Sequence, residues 1–110
     1  MTSTRSLAVV PAYQAERTIE AVVQGLIKEF DQVWVVDDGS TDNTGRLASL
    51  AGARVIRHAG NRGKSAALRT ALLEAAGEKF ETFVTVDADG QHPPQEAIRL
   101  HRAVPDPNQL

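Results

Sequence analysis

Val33-Trp34-Val35-Val36-Asp37-Asp38-Gly39-Ser40 is the stretch that decides the fold. Four apolar residues in a row, three of them β-branched, read as a strand buried on both faces, as strands inside parallel sheets are. The run then breaks at once into two acids, a glycine and a serine. Working outward, the same phrase recurs. Leu7-Ala8-Val9-Val10 is an apolar run that Pro11 is expected to stop, Arg54-Val55-Ile56 is a third strand, and Thr82 to Val86 is a fourth, ending in Asp87-Ala88-Asp89-Gly90.

Helical spacing fills the gaps between these runs. From Ile19, apolar residues recur at Val22, Val23, Leu26, Ile27 and Phe30, one stripe of a helix. Gly25 lies inside it, at a cost of about 1 kcal/mol relative to Ala. Ser40 or Thr41 is placed to cap a second helix, which carries Leu47 and Leu50 and stops at Gly52. A third helix runs through Leu68, Ala71, Leu72 and Ala75, with Gly77 as its terminator. Pro93 and Pro94 suit the first turn of a fourth, which Ile98 and Leu100 continue.

The order βαβαβαβα predicts an α/β chain, a Rossmann-like parallel sheet with helices on both faces and right-handed crossovers. Residues 1–110 read as one domain, with a loose polar tail from Pro105. The fourth strand is apolar and β-branched. As the last strand of the sheet it would leave an open edge, which predicts self-association into a dimer or larger species.

Composition excludes several classes. There is no cysteine, so disulfides, thiolate zinc sites and thiol catalysis are out. A net charge of −2 does not fit a nucleic-acid-binding chain. Apolar runs are too short for a membrane span or a secretory signal, so a cytoplasmic location is the expectation. Charge is nonetheless segregated. No Asp or Glu occurs from Asn43 to Leu73, a stretch holding Arg46, Arg54, Arg57, Arg62, Lys64 and Arg69, six of the twelve basic residues. Arg46, Arg54 and Arg57 read as solvated surface. The acids gather at Asp37-Asp38 and at Asp87 and Asp89.

Each polar cluster follows the C-terminal end of a strand, the edge at which open α/β sheets bind ligands. Asp87 and Asp89, two apart at a strand end, can face one side and repel unless a cation lies between them. Oxygen-only ligation suits Mg²⁺ or Mn²⁺, and Gln91 can add an amide oxygen. Asp-Gly pairs also form turns, so this spacing has a bland reading as well. One of Asp37 and Asp38 suits a ribose or base edge, while the other satisfies backbone at a helix start. Gly63-Lys64-Ser65 invites comparison with a triphosphatase phosphate loop, but the required upstream glycine position holds His58. What remains is a glycine-containing turn with Arg62 and Lys64 at a helix N-terminus, a place suited to phosphate. No G-x-S-x-G pattern supports acyl chemistry. Together the clusters describe a nucleoside diphosphate bound with a metal.

Four spellings in order, Val9-Val-Pro-Ala-Tyr13, Val35-Val-Asp-Asp-Gly-Ser-Thr-Asp42, Asn61-Arg-Gly-Lys64 and Val86-Asp-Ala-Asp-Gly-Gln-His92, resemble the N-terminal half of family-2 glycosyltransferases with a GT-A fold. The run from Asp87 to Pro93 is most similar to the polyprenyl-phosphate (dolichyl-phosphate) mannosyl- and glucosyltransferase branch. The resemblance implies that Pro11 and Tyr13 line a base pocket and that Asp38 contacts base or ribose. It places Arg62 and Lys64 near the donor phosphates, or has them shape the loop that lies there, and makes Asp87 and Asp89 hold the metal and diphosphate with Gln91 beside them. Where the family often has Tyr-Asn-Glu, this chain has Tyr13-Gln14-Ala15, with Glu16 as a shifted substitute.

Family members continue past this point into an acceptor site and a catalytic base, and neither Glu96 nor Asp106 resembles that base. The chain is therefore expected to be the donor-binding half of an inverting transferase. It would use a UDP- or GDP-sugar and deliver the sugar to an acceptor such as polyprenyl phosphate, at the inner face of the membrane in the full-length protein. The alternative is a non-catalytic module that binds a nucleotide or a partner chain.

Overall fold

In the computed structural model, which describes residues 5–89 and the strand backbone of 98–101, the first four strands are parallel. They are β1 (Ser6–Ala12), β2 (Gln32–Asp37), β3 (Arg54–Arg57) and β4 (Thr82–Thr85), joined through helices α1 (Ile19–Ile27), α2 (Thr44–Leu50) and α3 (Lys64–Ala75). A last strand, β5 (Ile98–His101), runs antiparallel to β4, and the sheet order is β3-β2-β1-β4-β5.

The apolar runs are explained by burial on both faces. Ala8, Val10 and Ala12 of β1, with Val33 and Val35 of β2, pack under Ile19, Val23 and Leu26 of α1 and Ala48 of α2. The intervening residues Leu7, Val9, Trp34 and Val36 face the other way, onto Ala67, Ala71, Leu72 and Ala75 of α3. Three alanines on that helix face bring its axis close to the sheet. Trp34 is fully buried there, edge-on to Phe80 at 5.6 Å, with its indole N–H donated to Gln32 Oε1. The α1 and α2 crossovers share one face and α3 takes the other, because the chain reverses its direction of travel across the sheet after β3.

Four details differ from the sequence expectations. Strand β1 does not stop at Pro11, which pairs in register with Val36. Backbone groups alternate sides along a strand. Since Val9 accepts from Val86 N–H on the β4 side, the missing Pro11 N–H also falls on that side. The β1–β4 ladder ends at Val9 and Thr85, so nothing is lost there and the two strands part.

Neither Ser40 nor Thr41 caps α2. Thr44 N–H donates to Asp42 Oδ1, while Ser40 Oγ accepts from Gln14 N–H. Ile98 and Leu100 lie on a strand rather than a helix, consistent with the strict alternation Ile-Arg-Leu-His; the expected helix start at Pro93 and Pro94 lies outside the described residues. Strand β5 thereby covers the β4 edge on which the expectation of self-association rested.

Candidate functional site

The chain leaves β1 toward β2 and β3 on one side and returns to β4 on the other. The switch point of the sheet therefore lies between the C-terminal ends of β1 and β4, where Pro11 separates them. A cleft opens there. A larger space of about 840 Å³ runs from Tyr13 and Glu16 to Asp87 and Asp89. A smaller one of about 170 Å³ joins it and reaches inward to Asp38, Gly63 and Ala67. Pro11, Tyr13, Lys64 and Asp87 border both.

Four loops build this cleft, and each is tied to its neighbour. The first two are laced by backbone donors: Gln14 N–H to Ser40 Oγ at 2.9 Å, Ala15 N–H to Thr44 Oγ1 at 2.8 Å, and Thr41 N–H to Gln14 Oε1 at 2.6 Å. Gln14 takes a left-handed φ of 52° to make this turn. Glu16 accepts from Asn43 N–H at 3.2 Å and borders the larger space. Burial opposes charge on Asp42, but the Thr44 hydroxyl and amide and the Glu16 amide outweigh it and hold its carboxyl below the ordinary 3.8. The first loop also reaches the fourth, through the Thr18 hydroxyl donated to Ala88 O at 2.6 Å.

The second and third loops meet backbone to backbone. Gly39 has φ +79°, and a Cβ on it would lie 2.4 Å from Gly60 C and 2.6 Å from Asn61 N. Asp38, buried, accepts from Arg62 N–H at 2.9 Å, from Gly63 N–H at 2.8 Å and from His58 Nδ1 at 2.7 Å. Burial again opposes its charge, and these three bonds outweigh it to hold the carboxyl below its ordinary value of 3.8. Asp37 accepts from Ser40 N–H and pairs with Arg57 Nη1 at 2.7 Å, while Arg57 Nη2 donates to Ser40 O. Arg57 is thus a clamp on the second loop, not merely solvated surface. Arg54 is not idle either, lying 4.5 Å over the Trp34 ring and pairing with Glu74 and Glu78.

Of the residues singled out in the sequence, Pro11, Tyr13, Asp38, Lys64 and Asp87 all border the smaller space, and Asp89 borders the larger one. Arg62 is exposed on the third loop with its amide turned to Asp38, and it borders neither. Gln91 lies outside the described residues. The fourth loop meets the third where Lys64 Nζ lies 2.7 Å from Asp87 Oδ1.

No group of three His, Cys, Asp or Glu able to hold a metal occurs among the described residues. The donor set nonetheless fits a shared hard cation. Asp87 and Asp89 border an open polar space, and Mg²⁺ is commonly bound by one or two carboxylates plus substrate phosphates and water. Two contributions had no sequence signal. His58 and Thr70 were ordinary loop and helix residues in the sequence, and only their approach to Asp38 gives them a role.

A mainly parallel sheet with a polar cleft at its switch point, bordered by a helix N-terminus, several acids and a lysine, has the architecture of a nucleotide-binding α/β domain. More particularly, the chain belongs to glycosyltransferase family 2, whose family model matches residues 7–108. It is 37% identical over 108 residues to a polyprenol monophosphomannose synthase of Mycolicibacterium smegmatis, covering 91% of this chain and 41% of that protein. It is 31% identical over 110 residues to a UDP-N-acetylglucosamine–dolichyl-phosphate N-acetylglucosaminyltransferase of Methanococcus voltae, covering 84% of this chain and 44% of the relative. Among solved structures it is similar to the glucosyl-3-phosphoglycerate synthase of Mycobacterium tuberculosis in complex with Mn²⁺, UDP-glucose and phosphoglyceric acid. The TM-score is 0.64 at 32% identity, covering 76% of this chain and 33% of that one. The chain thus spans less than half the length of these relatives.

Proposed function

We propose that this chain is the donor-binding half of an inverting glycosyltransferase that takes a UDP- or GDP-sugar and delivers the sugar to polyprenyl phosphate. The observation that carries the reading is the convergence of Pro11, Tyr13, Asp38, Lys64 and Asp87 on one cleft at the switch point. The relatives named as polyprenol- and dolichyl-phosphate transferases support the acceptor class, and their names favour transfer over a non-catalytic module.

Pro11 and the half-exposed ring of Tyr13 offer an apolar wall for the base. Asp38 is engaged by His58 and two backbone amides, so its part is to shape the inner pocket rather than to reach far into it. Lys64, at the N-terminus of α3, supplies positive charge for the diphosphate. Asp87 and Asp89, with Gln91, would hold Mg²⁺ or Mn²⁺, which when bound neutralises charge on the departing nucleoside diphosphate. Arg62 is assigned to shaping the loop that presents Lys64, through its amide at Asp38. The base that activates the acceptor is assigned to no residue of this chain. No helix among the described residues is long and apolar enough to cross a membrane. We place the domain on the cytoplasmic side, working at the inner membrane face.

Calorimetric titration of UDP-glucose and GDP-mannose, with and without Mn²⁺, tests the donor assignment. One of the two is expected to bind, more tightly with the ion. Binding of neither under both conditions rejects it.

A further inference from the structure

The third loop delivers Lys64 to the cleft, and something must fix that loop in place. Its turn residues Arg62 and Gly63 both direct their N–H groups at Asp38, at 2.9 and 2.8 Å. A carboxylate with two backbone donors on one loop is a strong tie, provided the carboxylate cannot rotate. The remaining contact of Asp38 comes from His58, whose Nδ1 lies 2.7 Å from the same oxygen that receives Arg62 N–H. The carboxylate can only accept, so Nδ1 carries the proton. His58 is itself held twice more. Its backbone N–H donates to Asp37 O at 2.9 Å, extending the sheet ladder by one bond, and its Nε2 meets the Thr70 hydroxyl at 2.8 Å. The Thr70 hydroxyl also lies 3.0 Å from Ala66 O within α3, so its single proton is shared between that carbonyl and the Nε2 lone pair. The chain of contacts therefore runs from α3 through Thr70, His58 and Asp38 to the turn at the start of α3. His58 is buried and borders neither part of the cleft.

We propose that His58 is a positioning residue for diphosphate binding: it orients the Asp38 carboxylate, which holds the Arg62–Gly63 turn and so sets where Lys64 enters the cleft. This rests on the reading of the cleft as a nucleoside-diphosphate site. The imidazole acts directly on the turn that carries Lys64 and reaches the inner pocket only through Asp38, so its loss should weaken phosphate-bearing ligands more than the bare nucleoside. An imidazole that only filled space would affect both alike, or neither.

The test uses His58→Leu and His58→Asn in the 110-residue chain, with amide NMR on the metal-free protein and, in the presence of Mn²⁺, calorimetry against UDP, GDP, uridine and guanosine. His58→Leu should shift the Arg62 and Gly63 amide signals and weaken the preferred diphosphate at least tenfold, with a smaller loss, about threefold or less, for its nucleoside. His58→Asn keeps an N–H near the Nδ1 position and should restore most of both. Unchanged Arg62 and Gly63 signals in a folded His58→Leu protein would overturn the proposal, as would an Asn variant as impaired as the Leu one. If His58→Leu does not fold, the unsubstituted chain decides. It should show a slowly exchanging imidazole Nδ1 proton with a nuclear Overhauser contact to the Arg62 amide, and absence of that proton signal counts against the proposal. If the unsubstituted chain binds neither diphosphate, the donor reading fails, while the amide and imidazole signals still judge the role of His58.

Discussion

Lys64 Nζ lies 2.7 Å from Asp87 Oδ1, so the cation at the start of α3 and the first acid after β4 meet across the mouth of the cleft. Both side chains are substantially exposed, and exposed pairs contribute about 0–1 kcal/mol. Stability is therefore not the reason to expect this pair. Lys64→Ala should leave the thermal midpoint nearly unchanged and weaken UDP or GDP about tenfold, the loss of a charge-assisted contact. Affinity for Mn²⁺ alone should not fall, because the lysine and the ion are drawn to the same carboxylate. Parallel titrations with the ion alone and with the nucleotide check both signs.

Asp38 ties acid sensitivity to the third loop. Its folded carboxyl titrates below the ordinary value of 3.8, so the unfolded chain takes up that proton first as pH falls. The stability it contributes is complete above about pH 5 and is lost as pH falls through 3.8 toward the lower folded value. Asp42 acts in the same direction. Urea midpoints between pH 6 and pH 3 should fall steeply only below about pH 4. Asp38→Asn should flatten that fall while lowering the midpoint at pH 6.

Two glycines should respond with opposite signs. At Gly39 a Cβ has no room against Gly60 and the φ is left-handed, so Gly39→Ala should cost at least about 2 kcal/mol. At Gly25, inside α1, nothing lies within 4 Å of the added carbon. Gly25→Ala should raise stability by roughly 0.5–1 kcal/mol, a few degrees in thermal midpoint.

Thr44 is fully buried, accepts from Ala15 N–H and donates to Asp42. Thr44→Val keeps the volume but leaves the Ala15 amide without its acceptor, at about 1–3 kcal/mol. Denaturant unfolding should show that loss, and hydrogen exchange should accelerate more at Ala15 than in α3.

The parallel core was legible because burial on both faces leaves a distinctive trace, the unbroken apolar runs at Leu7–Val10 and Val33–Val36. The placement of the polar clusters was legible for a related reason: ligand-facing residues can only follow the C-terminal ends of such strands. Strand β5 is hard to read in sequence because Pro93 and Pro94 suit the first turn of a helix, a signal that competes with the two-residue alternation from Ile98 to His101. Pro11 suggests a stop because a proline removes one ladder bond, yet here that bond falls on the side where β4 has already turned away. Arg57 and His58 had no readable role, since each acts through a partner twenty residues earlier, Asp37 and Asp38, brought near by the β2–β3 pairing. Sequence spacing carries no trace of such a contact.

The central claim is that the cleft between the ends of β1 and β4 receives a nucleoside diphosphate together with a divalent ion. Paramagnetic broadening of amide signals by Mn²⁺, recorded with UDP and then with GDP, tests it most directly. One nucleotide should focus the broadening on Tyr13, Lys64 and Asp87, leaving Phe30, Gly52 and Arg54 at the opposite end of the sheet sharp. Broadening centred on that opposite end, or spread without focus in the presence of both nucleotides, would contradict it.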